Sequence, residues 1–138
     1  KDKKILLGKR INSPAKDFFF VPGGRIQKSE RIRKAFERIL RDELGFNLRK
    51  NQNKFVKTLG IYEHFYDDNF LDNKEFSTHY IVIAYLIPYI SLTKIVSKIK
   101  RPQHSEYIWL DINIGKNYSF KIHKNTLEYL KNPLLKNI

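Results

Sequence analysis

The sequence contains no cysteine, and this absence excludes disulfide bonds and thiolate metal sites. Long hydrophobic runs are also missing. The longest, YIVIAYLIPYI at 80–90, falls well short of the roughly 20 residues that a membrane-spanning helix needs. Its proline and its many β-branched and aromatic residues predict a buried strand instead. No signal peptide is evident, so we expect a cytoplasmic protein without a membrane segment.

Acidic residues are scarce, since 14 Asp and Glu stand against 27 Lys and Arg, and the formal net charge is +13. A basic surface of this kind can attract nucleic acid. However, 19 of the basic residues are lysines, and they are spread mostly singly from Lys1 to Lys136. Scattered lysines are typical of a solvated surface, so we do not expect nucleic acid as a partner. A smaller polyanion such as a nucleoside diphosphate would benefit from the same field.

The length of 138 residues and the hydrophobic content of 41% predict one domain, spanning residues 1–138, with its own core. The chain begins without methionine and almost directly in a predicted strand, so we expect an N-terminal segment to precede it. Strands are predicted at 4–10, 18–22, 54–66, 76–90 and 106–112, and helices between 29 and 45 and at 121–132. The segment 92–100 favours either a short helix or a strand. This order predicts an α/β or α+β sandwich.

The first helix has a clear sequence pattern. One face repeats at i, i+3, i+4 and i+7, with the residues Ile32, Ala35, Phe36, Ile39, Leu40 and Glu43. Ser29 predicts the N-cap, and Gly45 predicts the end of the helix. Asp42 and Glu43 come next to each other at this end, where carboxylate oxygens suit a hard cation such as Mg²⁺. The Pro22-Gly23-Gly24 turn before the helix can bring backbone carbonyls close to a ligand.

The segment GRIQKSERIRKAFERILRDELGF at 24–46 resembles the Nudix box, a loop–helix–loop that holds Mg²⁺ against a nucleoside diphosphate. It matches the pattern G-x5-E-x7-R-E-U-x-E-E-x-G-U at Gly24, Glu30, Arg38, Glu43, Gly45 and Phe46. Two positions depart from the pattern. Ile39 stands where most Nudix enzymes have a metal-binding glutamate, and Asp42 shortens another carboxylate. The resemblance implies a Nudix-type α/β/α sandwich with a mixed β-sheet.

Further segments make the resemblance more specific: LLGKR (6–10), FVPGGRIQK (20–28), HFYDDNF (64–70), THY (78–80) and QHSEYIWL (103–110). Together they resemble GDP-mannose mannosyl hydrolase, an atypical Nudix subfamily that also lacks the glutamate at the position of Ile39. The resemblance implies hydrolysis of GDP-mannose, or of GDP-glucose, to GDP and a free hexose. Water would attack the anomeric carbon with inversion. A homodimer is implied as well.

The resemblance also implies roles for single residues. Mg²⁺, with Mn²⁺ as a substitute, would be held by Glu43, by the backbone carbonyl of Gly23 and by Gln103. His104 resembles the general base, and a histidine suits that task at neutral pH. The other expected site residues are the arginines Arg10, Arg25 and Arg38, the site-lining His64 and Tyr80, and the loop acids Asp67 and Asp68.

Several alternatives stay open at this point. A conventional Nudix pyrophosphatase would cut at phosphorus and would use Asp42 and Glu43. A non-catalytic module would bind a nucleotide sugar or RNA without turnover. Arg38 is equally suited to buttress the box loop through Glu30, and adjacent loop acids such as 67 and 68 are usually solvated or capping.

Overall fold

The computed structural model describes residues 3–47, 56–71, 75–87, 103–113 and 120–136. The elements in chain order are β1 (Lys4–Arg10), β2 (Phe19–Phe20), α1 (Ile32–Leu44), β3 (Lys57–Tyr66), β4 (Thr78–Leu86), β5 (His104–Asp111), α2 (Lys124–Leu130) and α3 (Pro133–Lys136). The predicted segment 92–100 lies outside the described residues, as do the predicted strand ends at 54–55 and 88–90. Within the described parts, no helix combines the length and the apolar character that crossing a bilayer requires.

The described strands form two antiparallel sheets. β1 is the central strand of a three-stranded sheet with the order β2-β1-β5, and β3 pairs with β4 in the second sheet. A single parallel bridge joins Phe19 to Ile122. The mixed character that we expected of the sheet is therefore limited, among the described residues, to this bridge.

Two neighbouring leucines of β1 show how the layers are arranged. Successive side chains of a strand point to opposite faces of its sheet. Leu6 packs with Leu40 and Leu44 of α1, whereas Leu7 packs with Phe19 and, through the same cluster, with Leu130 of α2. One helix thus covers each face of the sheet, as the predicted sandwich requires.

The two ends of α1 differ in how well local sequence predicted them. Gly45 ends the helix in the left-handed conformation, with φ 64°, as expected. The predicted N-cap at Ser29 is wrong, because Ser29 has a φ of 64° and an N-cap needs an extended backbone, which Arg31 provides instead. As the first residue of the helix, Ile32 is 48% exposed and does not join the core face.

His64 on β3 is enclosed in the core and is only 3% exposed. Its Nε2 lies 3.0 Å from the Tyr129 hydroxyl, and its Nδ1 lies 3.4 Å from the Tyr66 hydroxyl. Burial, with a smaller contribution from His123, lowers the pKa of His64 to about 4. The ring is therefore neutral in the folded protein at neutral pH.

Gly8 of β1 makes room for His104 of β5. In the antiparallel register Gly8 lies opposite Tyr107 and Arg10 opposite His104, so that one extra β5 residue forms a bulge. A Cβ atom at Gly8 would lie 2.5 Å from Cγ of His104. The His104 side chain has 0% exposed surface, and its burial against β1 depends on the missing side chain at position 8.

We expect the free energy of unfolding to fall as the pH is lowered from about 6.5 to about 4. In this window the unfolded His64 binds a proton that the folded, buried ring does not, so protons favour unfolding. In His64→Gln the pH dependence should be shallower, by at most about 1.4 kcal/mol per pH unit. Urea unfolding at a series of pH values measures this, with His79→Gln, at an exposed histidine, as the matched control. Equal slopes in the wild type and His64→Gln would contradict the assignment.

Gly8→Ala should lower the free energy of unfolding by about 1–3 kcal/mol, because the added methyl group must displace a packed imidazole. Gly23→Ala is the matched control, since a Cβ there would have Val21 O, at 4.0 Å, as its nearest neighbour. Urea denaturation of both variants provides the comparison. Equal stability of the two variants would show that His104 does not need the space above Gly8.

Candidate functional site

The last turn of α1 brings Glu43 against His104 of β5. Glu43 is 5% exposed, and its Oε2 lies 3.7 Å from Nδ1 of His104. The Tyr107 hydroxyl lies 3.2 Å from the same Nδ1 and donates to the Glu43 backbone carbonyl at 3.2 Å. Two buried atoms of this group, Glu43 Oε2 and His104 Nε2, have no hydrogen-bond partner among the described residues. A carboxylate oxygen and an imidazole nitrogen are therefore available for a ligand.

Burial controls the charge of this group. It raises the pKa of Glu43 to about 7, against the opposing charge of Arg10. It also lowers the pKa of His104 to about 4, and Arg10 acts in the same direction. Burial raises the pKa of Tyr107 to about 12. At neutral pH the imidazole and the phenol are neutral, and the carboxyl group would gain from a cation that favours its charged form.

The donor set fits a hard cation that is held by few protein ligands. The described residues contain no group of three or more His, Cys, Asp or Glu side chains that could hold a metal. Glu43 offers a carboxylate oxygen without a partner. The space beside Gly23 is open, since a Cβ there would have its nearest neighbour at 4.0 Å. Gln103 directly precedes β5, and its backbone carbonyl accepts a hydrogen bond from Ile11 N at 3.1 Å. One carboxylate combined with carbonyl or amide oxygens suits Mg²⁺ when substrate oxygens complete the shell.

The two altered box positions do not act as further acidic ligands. Ile39 packs on the preceding loop, where a Cβ atom at Gly24 would lie 3.0 Å from its Cγ1. Asp42 is half exposed, and its Oδ1 lies 3.1 Å from Nε of Arg41. Its Oδ2 lies 3.9 Å from Nη1 of Arg38. Glu43 is consequently the only box-end carboxylate that is buried with a free oxygen.

Arg38 fastens the loop before α1 to the helix. Its Nε and Nη2 donate to Glu30 Oε1 and Oε2, both at 2.8 Å, and Nη2 also donates to the Arg25 carbonyl at 2.9 Å. The Arg38 hydrogen bonds, helped by the backbone N–H of Gln27, lower the pKa of Glu30 to about 2. Of the two roles left open for Arg38, the structure displays the buttressing one. A contact with diphosphate stays a prediction.

Arg10 of β1 lies opposite His104 of β5. Its Nε donates to the Pro14 carbonyl at 2.8 Å. Burial is the main influence on the pKa of the surrounding groups, and the charge of Arg10 is a further influence on Glu43, His104, Tyr66 and His123. Arg25 is exposed, with its guanidinium carbon 4.1 Å from the centre of the Phe70 ring.

The remaining predicted site residues lie on β3, on β4 and in the loop between them. His64 is in the core, as described above. Tyr80 pairs with it across β3 and β4, is half-buried, and has its ring centre 6.0 Å from that of Tyr66. Asp68 is half-buried and Asp67 is exposed. Their roles toward a substrate stay predictions.

Sequence reasoning missed Tyr107 and Tyr66. Tyr107 stands three residues after His104, and an odd spacing on a regular strand places side chains on opposite faces. The bulge between Gly8 and Arg10 adds one residue to β5 at this point, and His104 and Tyr107 meet on the same side. Tyr66 belongs to the HFYDDNF segment, and this position in the motif could have identified it as a candidate site residue.

Comparison with known proteins gives the family. A family model described as NUDIX domain matches residues 1–129. The chain is 37% identical over 81 residues to the low-salt glycan biosynthesis protein Agl8 of Haloferax volcanii. The aligned residues make up 59% of this chain and 48% of that protein. The chain thus spans about half the length of this curated relative.

Two solved structures share the fold. The crystal structure of a MutT NUDIX hydrolase from Burkholderia pseudomallei aligns with a TM-score of 0.62 at 20% identity, over 96% of this chain and 90% of that chain. The NUDIX domain of Shewanella oneidensis NrtR, complexed with ADP ribose, aligns with a TM-score of 0.63 at 15% identity, over 98% and 78%.

These likenesses confirm the predicted α+β Nudix fold. Nudix hydrolases generally use a divalent metal such as Mg²⁺ and act on nucleotide-derived small molecules, and the buried carboxylate at the end of α1 is consistent with that chemistry. The family model covers most of the chain, and the box lies within the matched residues. The chain belongs to the NUDIX hydrolase family.

Proposed function

We propose that this protein is a Mg²⁺-dependent hydrolase of nucleotide sugars that converts GDP-mannose to GDP and free mannose. The observation that carries the proposal is the single buried carboxylate at the end of the box, Glu43, in contact with the buried imidazole of His104. Attack at phosphorus in other Nudix enzymes draws on additional carboxylates. Here Ile39 packs on the loop and Asp42 is paired with arginines, which favours attack at carbon.

The proposed metal ligands are Glu43, the Gly23 carbonyl and Gln103. When bound, Mg²⁺ supplies stabilisation of the negative charge that develops on the departing diphosphate. We assign Arg10 and Arg25 to the diphosphate, because planar guanidinium groups suit its oxygens. Arg38 contributes by holding the loop that carries Gly23 and Arg25.

In the proposed reaction the oxygen of a water molecule bonds to the anomeric carbon, and a water proton passes to Nε2 of His104. The bond between that carbon and the phosphate oxygen breaks, and its electron pair leaves with GDP. Attack from the face opposite the diphosphate inverts the anomeric configuration. His104 is neutral and can accept the proton. Because its side chain has no exposed surface here, substrate binding must uncover Nε2 for this step.

Two comparisons support the substrate class. The Haloferax volcanii relative is named as a glycan biosynthesis protein, which is consistent with a sugar nucleotide. The Shewanella oneidensis domain was solved with ADP ribose, a nucleotide-derived ligand. GDP-glucose is the second substrate that we propose. The homodimer implied by the resemblance is part of this proposal, and light scattering would give its mass.

Incubation of the protein with GDP-mannose and Mg²⁺ in ¹⁸O-labelled water tests the bond that is cut. We expect the label in free mannose and unlabelled GDP, because the attacking oxygen goes to carbon. Label in GMP or in mannose phosphate would mean attack at phosphorus, and a conventional pyrophosphatase would replace the proposal. Binding of the nucleotide sugar without any product would favour a binding module, and a chain extended at its N-terminus would be the control for that outcome.

His104→Gln should lower kcat by roughly 10²–10⁴-fold while Mg²⁺ binding changes little, because the base is lost but not the metal ligand. Glu43→Gln should weaken Mg²⁺ binding and lower the rate together. Steady-state kinetics and Mg²⁺ titration measure both effects. The matched controls are His79→Gln and Glu37→Gln, which change an exposed histidine on β4 and a more exposed glutamate of α1 paired with Arg33. Wild-type turnover in His104→Gln would rule out its role as the base.

A further inference from the structure

We propose that Tyr107 is a positioning residue that fixes the tautomer of His104, with the proton on Nδ1 and the lone pair on Nε2. The inference rests on the proposed role of His104 as general base, since only the nitrogen without a proton can take one from water. It assigns a role to a side chain that the site motifs did not single out.

The Tyr107 hydroxyl donates its proton in one direction. A phenol has one proton to donate, and its oxygen can accept. The Glu43 backbone carbonyl, 3.2 Å from the hydroxyl, can only accept. The proton of Tyr107 therefore points to that carbonyl.

The position of Glu43 in α1 explains why its carbonyl needs the Tyr107 proton. Glu43 lies in the last turn of α1, which ends at Leu44. The last four carbonyls of a helix have no partner from the helix itself and need a donor from elsewhere. Tyr107 supplies that donor at a partly buried position, so its proton is directed to the helix end.

The direction of the Tyr107 proton determines which nitrogen of His104 is protonated. His104 Nδ1 lies 3.2 Å from the Tyr107 oxygen, whose own proton points elsewhere, so Nδ1 must donate. A neutral imidazole has one N–H, and Nε2 is left with the lone pair. The ionised Glu43 carboxylate, with Oε2 3.7 Å from Nδ1, favours the same tautomer through its charge, without a hydrogen bond. Nε2 has no hydrogen-bond partner among the described residues that would hold a proton there.

The rings of Tyr107 and His104 are held in place by close packing. The Tyr107 ring packs on the cluster formed by Leu6, Leu40 and Leu44. On the other side, the imidazole packs directly on the backbone of Gly8, where an added Cβ atom would lie 2.5 Å from its Cγ. The phenol oxygen therefore has a fixed place from which to hold Nδ1–H.

The test combines spectroscopy with kinetics on the full chain. Long-range ¹H–¹⁵N correlation of ¹⁵N-histidine-labelled protein shows which ring nitrogen carries the proton, and His104→Gln identifies the His104 signals. We expect the proton on Nδ1 in the wild type and a mixture of both tautomers in Tyr107→Phe. With GDP-mannose and Mg²⁺, Tyr107→Phe should lower kcat about 10- to 100-fold at unchanged KM. Tyr85→Phe is the matched control, because it removes a hydroxyl from another tyrosine beside α1, whose ring centre is 4.5 Å from that of Phe36.

The outcomes separate this inference from the proposed function. A proton on Nε2 in the wild type, or an unchanged tautomer in Tyr107→Phe, would overturn the positioning role. A lower kcat with an unchanged tautomer would also overturn it, since Tyr107 would then act through the end of α1 alone. If the wild type does not hydrolyse GDP-mannose, the proposed function fails, and the spectra still decide the tautomer.

Discussion

The contact between Glu43 and His104 is the constraint on which the arrangement around the site depends. Two titratable side chains are buried 3.7 Å apart, and burial of such groups is costly unless their charge or their hydrogen bonds are compensated. The surrounding residues lower this cost. Gly8 leaves space for the imidazole, Tyr107 occupies one ring nitrogen and the helix carbonyl, and the charge of Arg10 opposes the effect of burial on Glu43.

The Nudix box in this chain keeps its scaffold but has lost part of its acidic ligand set. The Arg38–Glu30 pair still ties the loop to α1. The close approach of Gly24 to Ile39 shows that the apolar side chain at this box position serves packing. At the end of the box, one buried carboxylate has an oxygen without a partner. Under the proposed function, the substrate would provide several of the oxygens around Mg²⁺.

Local sequence was sufficient wherever local rules control the structure. The periodicity of α1 and its termination at Gly45 depend on neighbours within one or two turns, and both agree with the prediction. The predicted start at Ser29 was wrong because the loop, held by Arg38 and Glu30, keeps this residue in a left-handed conformation. His64 was expected to line the site from its motif; the structure places it in the core beside Tyr129, and its role toward a substrate stays a prediction.

The sequence by itself determined the Nudix box, the amphipathic helix, and the residue types with which metal and proton chemistry can be performed. Only the tertiary structure decided which of these side chains meet. Glu43 and His104 come from separate elements. Tyr107 lies on the same side of β5 as His104 because a bulge opposite Lys9 interrupts the alternation of side chains. Strand periodicity places residues 104 and 107 on opposite faces, and no local pattern reveals an irregularity that arises from pairing with a distant strand.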